Sequence, residues 1–222
     1  MASEAKSSWD CVYQKIEDQK PITLGKYLSY WHHHSPRRLM HSMSYYKFAA
    51  KMIGSGKRVL DVGCNEGFGS YLLAKECGYV LGLDFDEEAI ASAKQNFSGE
   101  QIDFCCEDFL SIPDKKFDAV TSFDVIEHIL PEHASHFISK IARSLGKEGT
   151  AIIGTPSEIS QQFASQVAKS GHINIYNHER FERELLEHFS HVFLFAANDE
   201  VVHTGFMPLA HYYIAVACGP KC

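Results

Sequence analysis

One turn constrains this chain more than any other feature. Gly63-Cys64-Asn65-Glu66-Gly67 follows directly on the short, apolar run Arg58-Val59-Leu60-Asp61-Val62. Glycines at a strand end let the backbone reverse sharply and approach a ligand closely. From Lys57 onward, strand and helix signals alternate. Apolar runs at 58–62, 79–84, 102–106, 117–122 and 149–154 are interspersed with helix-like stretches at 69–76, 87–97 and 132–145. That rhythm requires a parallel sheet covered by helices on both faces. In such sheets the ligand sits outside the carboxyl ends of the strands. The rhythm changes after Thr155-Pro156. Residues 157–178 form a polar connection, 181–188 a helix, and 192–196 and 212–217 the last two strands.

The residues around the turn narrow the ligand. A dinucleotide site would read GxGxxG, whereas this chain reads Asp61-x-Gly63-x-Asn65-x-Gly67. An acid before the turn would face an amine or hydroxyl and would repel a pyrophosphate. Asp84 ends the second strand, where an acid grips both ribose hydroxyls. Asp108, just past the third, is placed to accept from an adenine amino group. Three acids at three successive strand ends favour a cationic or zwitterionic ligand over a nicotinamide dinucleotide, so a dinucleotide reductase is the weaker reading.

Composition supports one globular enzyme-sized unit. The chain has 222 residues, 45% of them hydrophobic, which is enough for a single core without a disulfide or metal staple. Its net charge of −7 disfavours duplex nucleic acid as the main partner. Seven cysteines, an odd number with no CxxC, point to a reducing cytoplasm. No apolar run approaches the ~18 residues of a membrane span, and the first twenty or so residues lack the apolar stretch of a leader. The triplet His32-His33-His34 lacks a second ligand cluster and reads as a solvated or packed segment.

The stretch from Lys57 to Pro156 resembles the class I S-adenosylmethionine-dependent methyltransferases. Asp61-Val62-Gly63-Cys64-Asn65-Glu66-Gly67 is similar to that family's first motif, Asp84 to its ribose-binding acid and Glu107-Asp108-Phe109 to its adenine-contacting segment. Phe117-Asp118-Ala119-Val120 through Asp124-Val125-Ile126-Glu127-His128 resembles its fourth motif, and Leu145 to Thr150 its turn before strand five. Asn65 stands where the family usually has glycine; Asn tolerates a left-handed backbone better than most residues. The resemblance implies a Rossmann-like α/β fold with a seven-stranded, mostly parallel sheet and an antiparallel C-terminal hairpin. It implies S-adenosylmethionine as cofactor, held by Asp61, Gly63, Cys64, Asn65, Gly67, Asp84, Phe85, Asp108, Phe109 and Asp124. Residues 1–36 then form an N-terminal segment that closes the cofactor pocket, or that packs on the sheet edge. Residues 37–222 form the methyltransferase domain, with a lid-like insert at 157–178.

The Asp124-x-x-Glu127-His128 element also resembles the ubiquinone-biosynthesis O-methyltransferases within the type 11 group. That likeness implies a divalent cation on Asp124, Glu127 and His128, or else residues that only wall the cofactor site. An oxygen or nitrogen acceptor benefits from a general base. His128 is the first candidate, followed by His172 and His178 in the insert and His203 in the loop before the last strand. The acceptor is expected to be a hydroxyl on a small molecule or saccharide. N- or C-methylation of protein or tRNA, and a catalytically silent cofactor-binding partner, are the alternatives. Asn177 is expected to cap the helix that follows it.

Overall fold

Lys57–Val62 forms β1, and the alternation along it sets the layering of the molecule. Leu60 and Val62 point to one face of the sheet, while Val59 points to the other. Successive side chains of a strand alternate, so Asp61 shares the face of Val59. A computed structural model of the chain describes residues 2–16 and 20–221; residues 1 and 17–19 of the N-terminal segment, and Cys222, lie outside it.

The strands that follow are β2 (Gly78–Asp84), β3 (Ile102–Cys106), β4 (Phe117–Phe123), β5 (Leu145–Pro156), β6 (Phe189–Ala197), β7 (Val202–His203) and β8 (Tyr212–Pro220). They form one sheet in the order β3-β2-β1-β4-β5-β8-β6-β7. The first five are parallel, and β8 runs antiparallel between β5 and β6. The expected fold class is observed, with one addition. The two-residue β7 pairs Ala196 with His203 and Ala197 with Val202, making eight strands where seven were expected. No periodicity signals a strand of two residues, because it is recruited by its neighbour's open edge.

Helices cover both faces. α3 (Pro36–Ile53), α4 (Phe68–Glu76) and α5 (Glu87–Phe97) pack on one face through Tyr46, Ala49, Leu73, Ala93 and Phe97. α6 (Pro131–Arg143) and α8 (His178–His188) pack on the other through Phe137, Ile138, Ile141, Phe181 and Leu185. Two helices precede this core, α1 (Ala2–Ile16) and α2 (Lys26–His34), and a short α7 (Gln166–Gly171) lies in the insert. His32, His33 and His34 form the last turn of α2, where His34 Nδ1 donates to the Tyr30 carbonyl. Asn177 caps α8 as expected: its Oδ1 accepts from the Arg180 amide at 2.9 Å. Among the described residues no helix is long and apolar enough to cross a membrane.

Candidate active site

The loops leaving β1, β2, β3 and β4 surround a cavity of about 490 Å³. Three residues between β1 and α4 have positive φ: Gly63 (77°), Asn65 (49°) and Gly67 (77°). Asn65 therefore adopts the left-handed conformation its position demands. The amides of Gly63 and Cys64 both donate to the Leu83 carbonyl, at 2.8 and 3.1 Å, folding the turn back over β2. The Asn65 amide donates to Asp84 Oδ2 at 2.9 Å, and the Asp86 amide to Asp84 Oδ1 at 3.0 Å. Each Asp84 oxygen is thereby fixed by one amide and keeps acceptor capacity. Asp108 is oriented by its own turn, accepting from the Leu110 amide and the Ser111 hydroxyl.

Most of the residues singled out for the cofactor line this cavity: Gly63, Cys64 and Asn65 from the turn, then Asp84 and Phe85, Asp108 and Phe109, and Asp124. Phe85 stands 81% exposed at the rim, whereas Phe109 is buried edge-on against Phe137. Two residues belong elsewhere. Asp61 does not line the cavity. It is fully buried and accepts from Ser70 Oγ at 2.6 Å and Thr121 Oγ1 at 2.7 Å, with the Tyr46 hydroxyl at 3.5 Å. The strand's alternation turns it into the α3–α4 layer, below the turn. Burial pushes its pKa up to about 6 against the pull of those hydroxyls. Gly67 is likewise a packing glycine: a Cβ there would meet Phe104 at 2.6 Å and Ala93 at 2.8 Å.

Asp124 follows β4 with φ 57°, a conformation that non-glycine residues hold only where the surroundings enforce it. Its Oδ2 accepts from the Tyr45 hydroxyl at 2.5 Å and lies 3.9 Å from Arg38 Nη2. Arg38 stacks over Trp31 at 4.5 Å. Burial opposes the Arg38 charge, but Asp124, with Tyr27 and Tyr45, outweighs it and raises the pKa. Neither Arg38 nor Glu66 was apparent as a site residue from the sequence. Arg38 sits in the first turn of α3 and is brought to the cavity only by tertiary packing.

His128 lines the cavity. Its Nδ1 lies 2.8 Å from the Gly171 carbonyl, which can only accept, so Nδ1 carries the proton and Nε2 is left as the acceptor. The His172 ring lies 5.2 Å away; burial and the neighbouring His128 lower its pKa. His172, His178 and His203 do not line the cavity. His178 opens α8 beside Tyr213, and His203 Nδ1 accepts from the Gly205 amide within its own loop.

The expected cation set is rearranged. Glu127, His128 and His172 bring ligand atoms within 4.8 Å of one another, whereas Asp124 is engaged by Tyr45 and Arg38. Glu127 is fully buried, with Thr155 Oγ1 donating to its Oε2 at 3.1 Å and no partner on Oε1 among the described residues. Burial and the Asp124 charge push its carboxyl well above the usual range, toward the neutral form that binds cations poorly.

Residues 60–153 match the family model described as Methyltransferase domain. A probable S-adenosylmethionine-dependent methyltransferase of Mycolicibacterium smegmatis is 32% identical over 120 residues, covering 54% of this chain and 45% of that protein. A ubiquinone biosynthesis O-methyltransferase of Xylella fastidiosa strain 9a5c is 30% identical over 170 residues, covering 67% of this chain and 69% of that protein. The chain thus spans under half the length of the mycobacterial relatives. Among solved structures, a Haloferax volcanii putative methyltransferase in complex with the Trm112 methyltransferase activator superposes with a TM-score of 0.69 at 17% identity, covering 90% of this chain and 100% of that one. The N-methyltransferase NodS of Bradyrhizobium japonicum, in complex with S-adenosyl-L-homocysteine, gives 0.62 at 16% identity, covering 81% and 86%. At such identities these two structures establish the fold alone.

Proposed function

Because the chain belongs to the class I S-adenosylmethionine-dependent methyltransferase family, we propose that it binds S-adenosylmethionine in the strand-end cavity and methylates a hydroxyl of a small molecule or saccharide. The acceptors on the cavity wall suit that cofactor. Glu66, Asp84, Asp86, Glu107, Asp108 and Asp124 line the cavity, and Arg38 is the one Lys or Arg side chain among the lining residues. Such a wall favours a sulfonium, an amine and hydroxyls, with Arg38 available to a single carboxylate. Asp84 holds the ribose, Asp108 and the exposed Phe85 ring take the adenine, and Asp124 with Arg38 takes the amino-acid end.

When bound, the sulfonium supplies an activated methyl group for in-line displacement. The protein supplies position and proximity. Tyr27, Trp31, Tyr45 and Tyr46 line the cavity and narrow water's access to it. His128, its tautomer set by the Gly171 carbonyl, takes the acceptor's proton at Nε2. His128 on the cavity wall, with its Nδ1 held by the Gly171 carbonyl, is the observation that carries the hydroxyl reading. Asp124 beside the stacked Tyr45 and Tyr212 rings, 4.7 Å apart, favours an amine as the second reading. The test is turnover: S-adenosylhomocysteine release with hydroxyl-bearing and amine-bearing acceptor pools, for wild type and His128→Ala. A wild type that releases none with any pool, yet binds the cofactor, would replace this reading with a silent binding partner.

A further inference from the structure

Glu66 lies within the glycine-rich turn, yet its carboxylate is engaged by a helix far away in sequence. Its Oε1 accepts from the Tyr27 amide at 2.6 Å and its Oε2 from the Leu28 amide at 3.1 Å. Both amides belong to the first turn of α2, where helix geometry leaves donors without partners. α2 has no side-chain cap of its own, because its N-cap position is Gly25. A carboxylate from the turn therefore does the work of the cap and complements the helix dipole. Glu66 is only 4% exposed, so these charge-assisted bonds are shielded from water. Gly25 is required for the approach: a Cβ there would overlap the Glu66 carboxyl group and meet Ser92 Oγ at 2.8 Å. The strap before α2 is tied down separately. Thr23 and Asn96 exchange two hydrogen bonds, of 3.1 and 2.8 Å, and Lys20 Nζ donates to the Gln95 carbonyl at 2.9 Å.

The held helix carries Tyr27, Leu28 and Trp31 onto the cavity wall, and Trp31 supports Arg38. We propose that Glu66 is a positioning residue that clamps α2, as the roof of the cavity, to the same turn that presents Gly63, Cys64 and Asn65. Turn and roof then move as one unit, and cofactor affinity depends on Glu66 through α2. This inference rests on the methyltransferase reading above.

The experiment measures S-adenosylhomocysteine binding by calorimetry, and amide hydrogen exchange, for wild type, Glu66→Ala and the double variant Gly25→Asp/Glu66→Ala. The double variant gives α2 a local cap without restoring the tie to the turn. Glu66→Gln, which keeps one acceptor, replaces Glu66→Ala if that variant does not fold. The clamp predicts at least tenfold weaker binding in Glu66→Ala, with faster exchange at Tyr27 and Leu28 and unchanged exchange in β1 and β4. It also predicts that the double variant slows exchange in α2 but does not recover affinity. Undiminished binding in Glu66→Ala overturns the proposal, and so does full recovery in the double variant, which would make Glu66 a helix cap only. A wild type that binds no S-adenosylhomocysteine overturns the methyltransferase reading itself. In that case exchange at Tyr27 and Leu28 alone decides whether Glu66 holds α2.

Discussion

At the scale of single residues, Asp61 and His128 carry different burdens. Asp61 is a buried acid whose partners are hydroxyls, with its pKa raised from 3.8 to about 6. In the folded state it holds a proton that the unfolded chain has released between about pH 4 and 6. Stability therefore falls as pH rises through that window, by about 3 kcal/mol for a shift of this size. Urea unfolding at intervals from pH 4 to 7 should show a shallower fall in Asp61→Asn than in wild type, the raised Glu127 carboxyl contributing to both; parallel profiles would refute the assignment. His128→Ala should lower turnover by about 10²–10⁴-fold, the range for a lost general base, with S-adenosylhomocysteine affinity within a few-fold of wild type. The sequence marked both residues but not what each touches. The turn motif makes Asp61 look like a ligand contact, and only the strand's alternation shows that it faces Ser70 and Thr121. His128 could be placed after β4, but its tautomer is set by Gly171, 43 residues away.

At the scale of elements, the insert is fastened to the β4 loop. The amides of Ile173 and Asn174 both donate to the Glu127 carbonyl, at 2.9 and 3.0 Å. Gly171 lies directly against His128: a Cβ there would lie 3.0 Å from His128 Cε1 and 3.1 Å from Nδ1. Gly171→Ala should shift the ring by a few tenths of an ångström and lower turnover by about tenfold, since small misplacements of catalytic groups are costly. Its melting temperature should stay close to wild type, and a turnover equal to wild type would show that the contact is slack. Asn177→Ala removes the α8 cap, worth about 1 kcal/mol, and should lower the melting temperature by about 2–4 °C in a chain of this length. That cap was legible because an N-cap is local chemistry. The Glu66 cap on α2 was not, because donor and acceptor lie 38 and 39 residues apart.

At the scale of the molecule, the alternating runs from Lys57 to Pro156 dictated the parallel half of the sheet, and the last two strand signals dictated its antiparallel end. What the sequence left open was the roof, since residues 1–36 read equally as closing the pocket or as packing on the sheet edge. Tyr27, Trp31 and Arg38 reach the cavity only because α2 and α3 fold back over the strand ends. The acidity of the chain acquires a location as well, since six carboxylates line one cavity with a single guanidinium among them. The central claim, that this cavity holds S-adenosylmethionine, is tested most directly by calorimetric titration of S-adenosylhomocysteine into wild type and Asp84→Ala. The account predicts one site per chain in wild type and at least tenfold weaker binding in Asp84→Ala, with NADH giving no saturable heat in either. Absence of binding to wild type, or equal binding to both proteins, would contradict it.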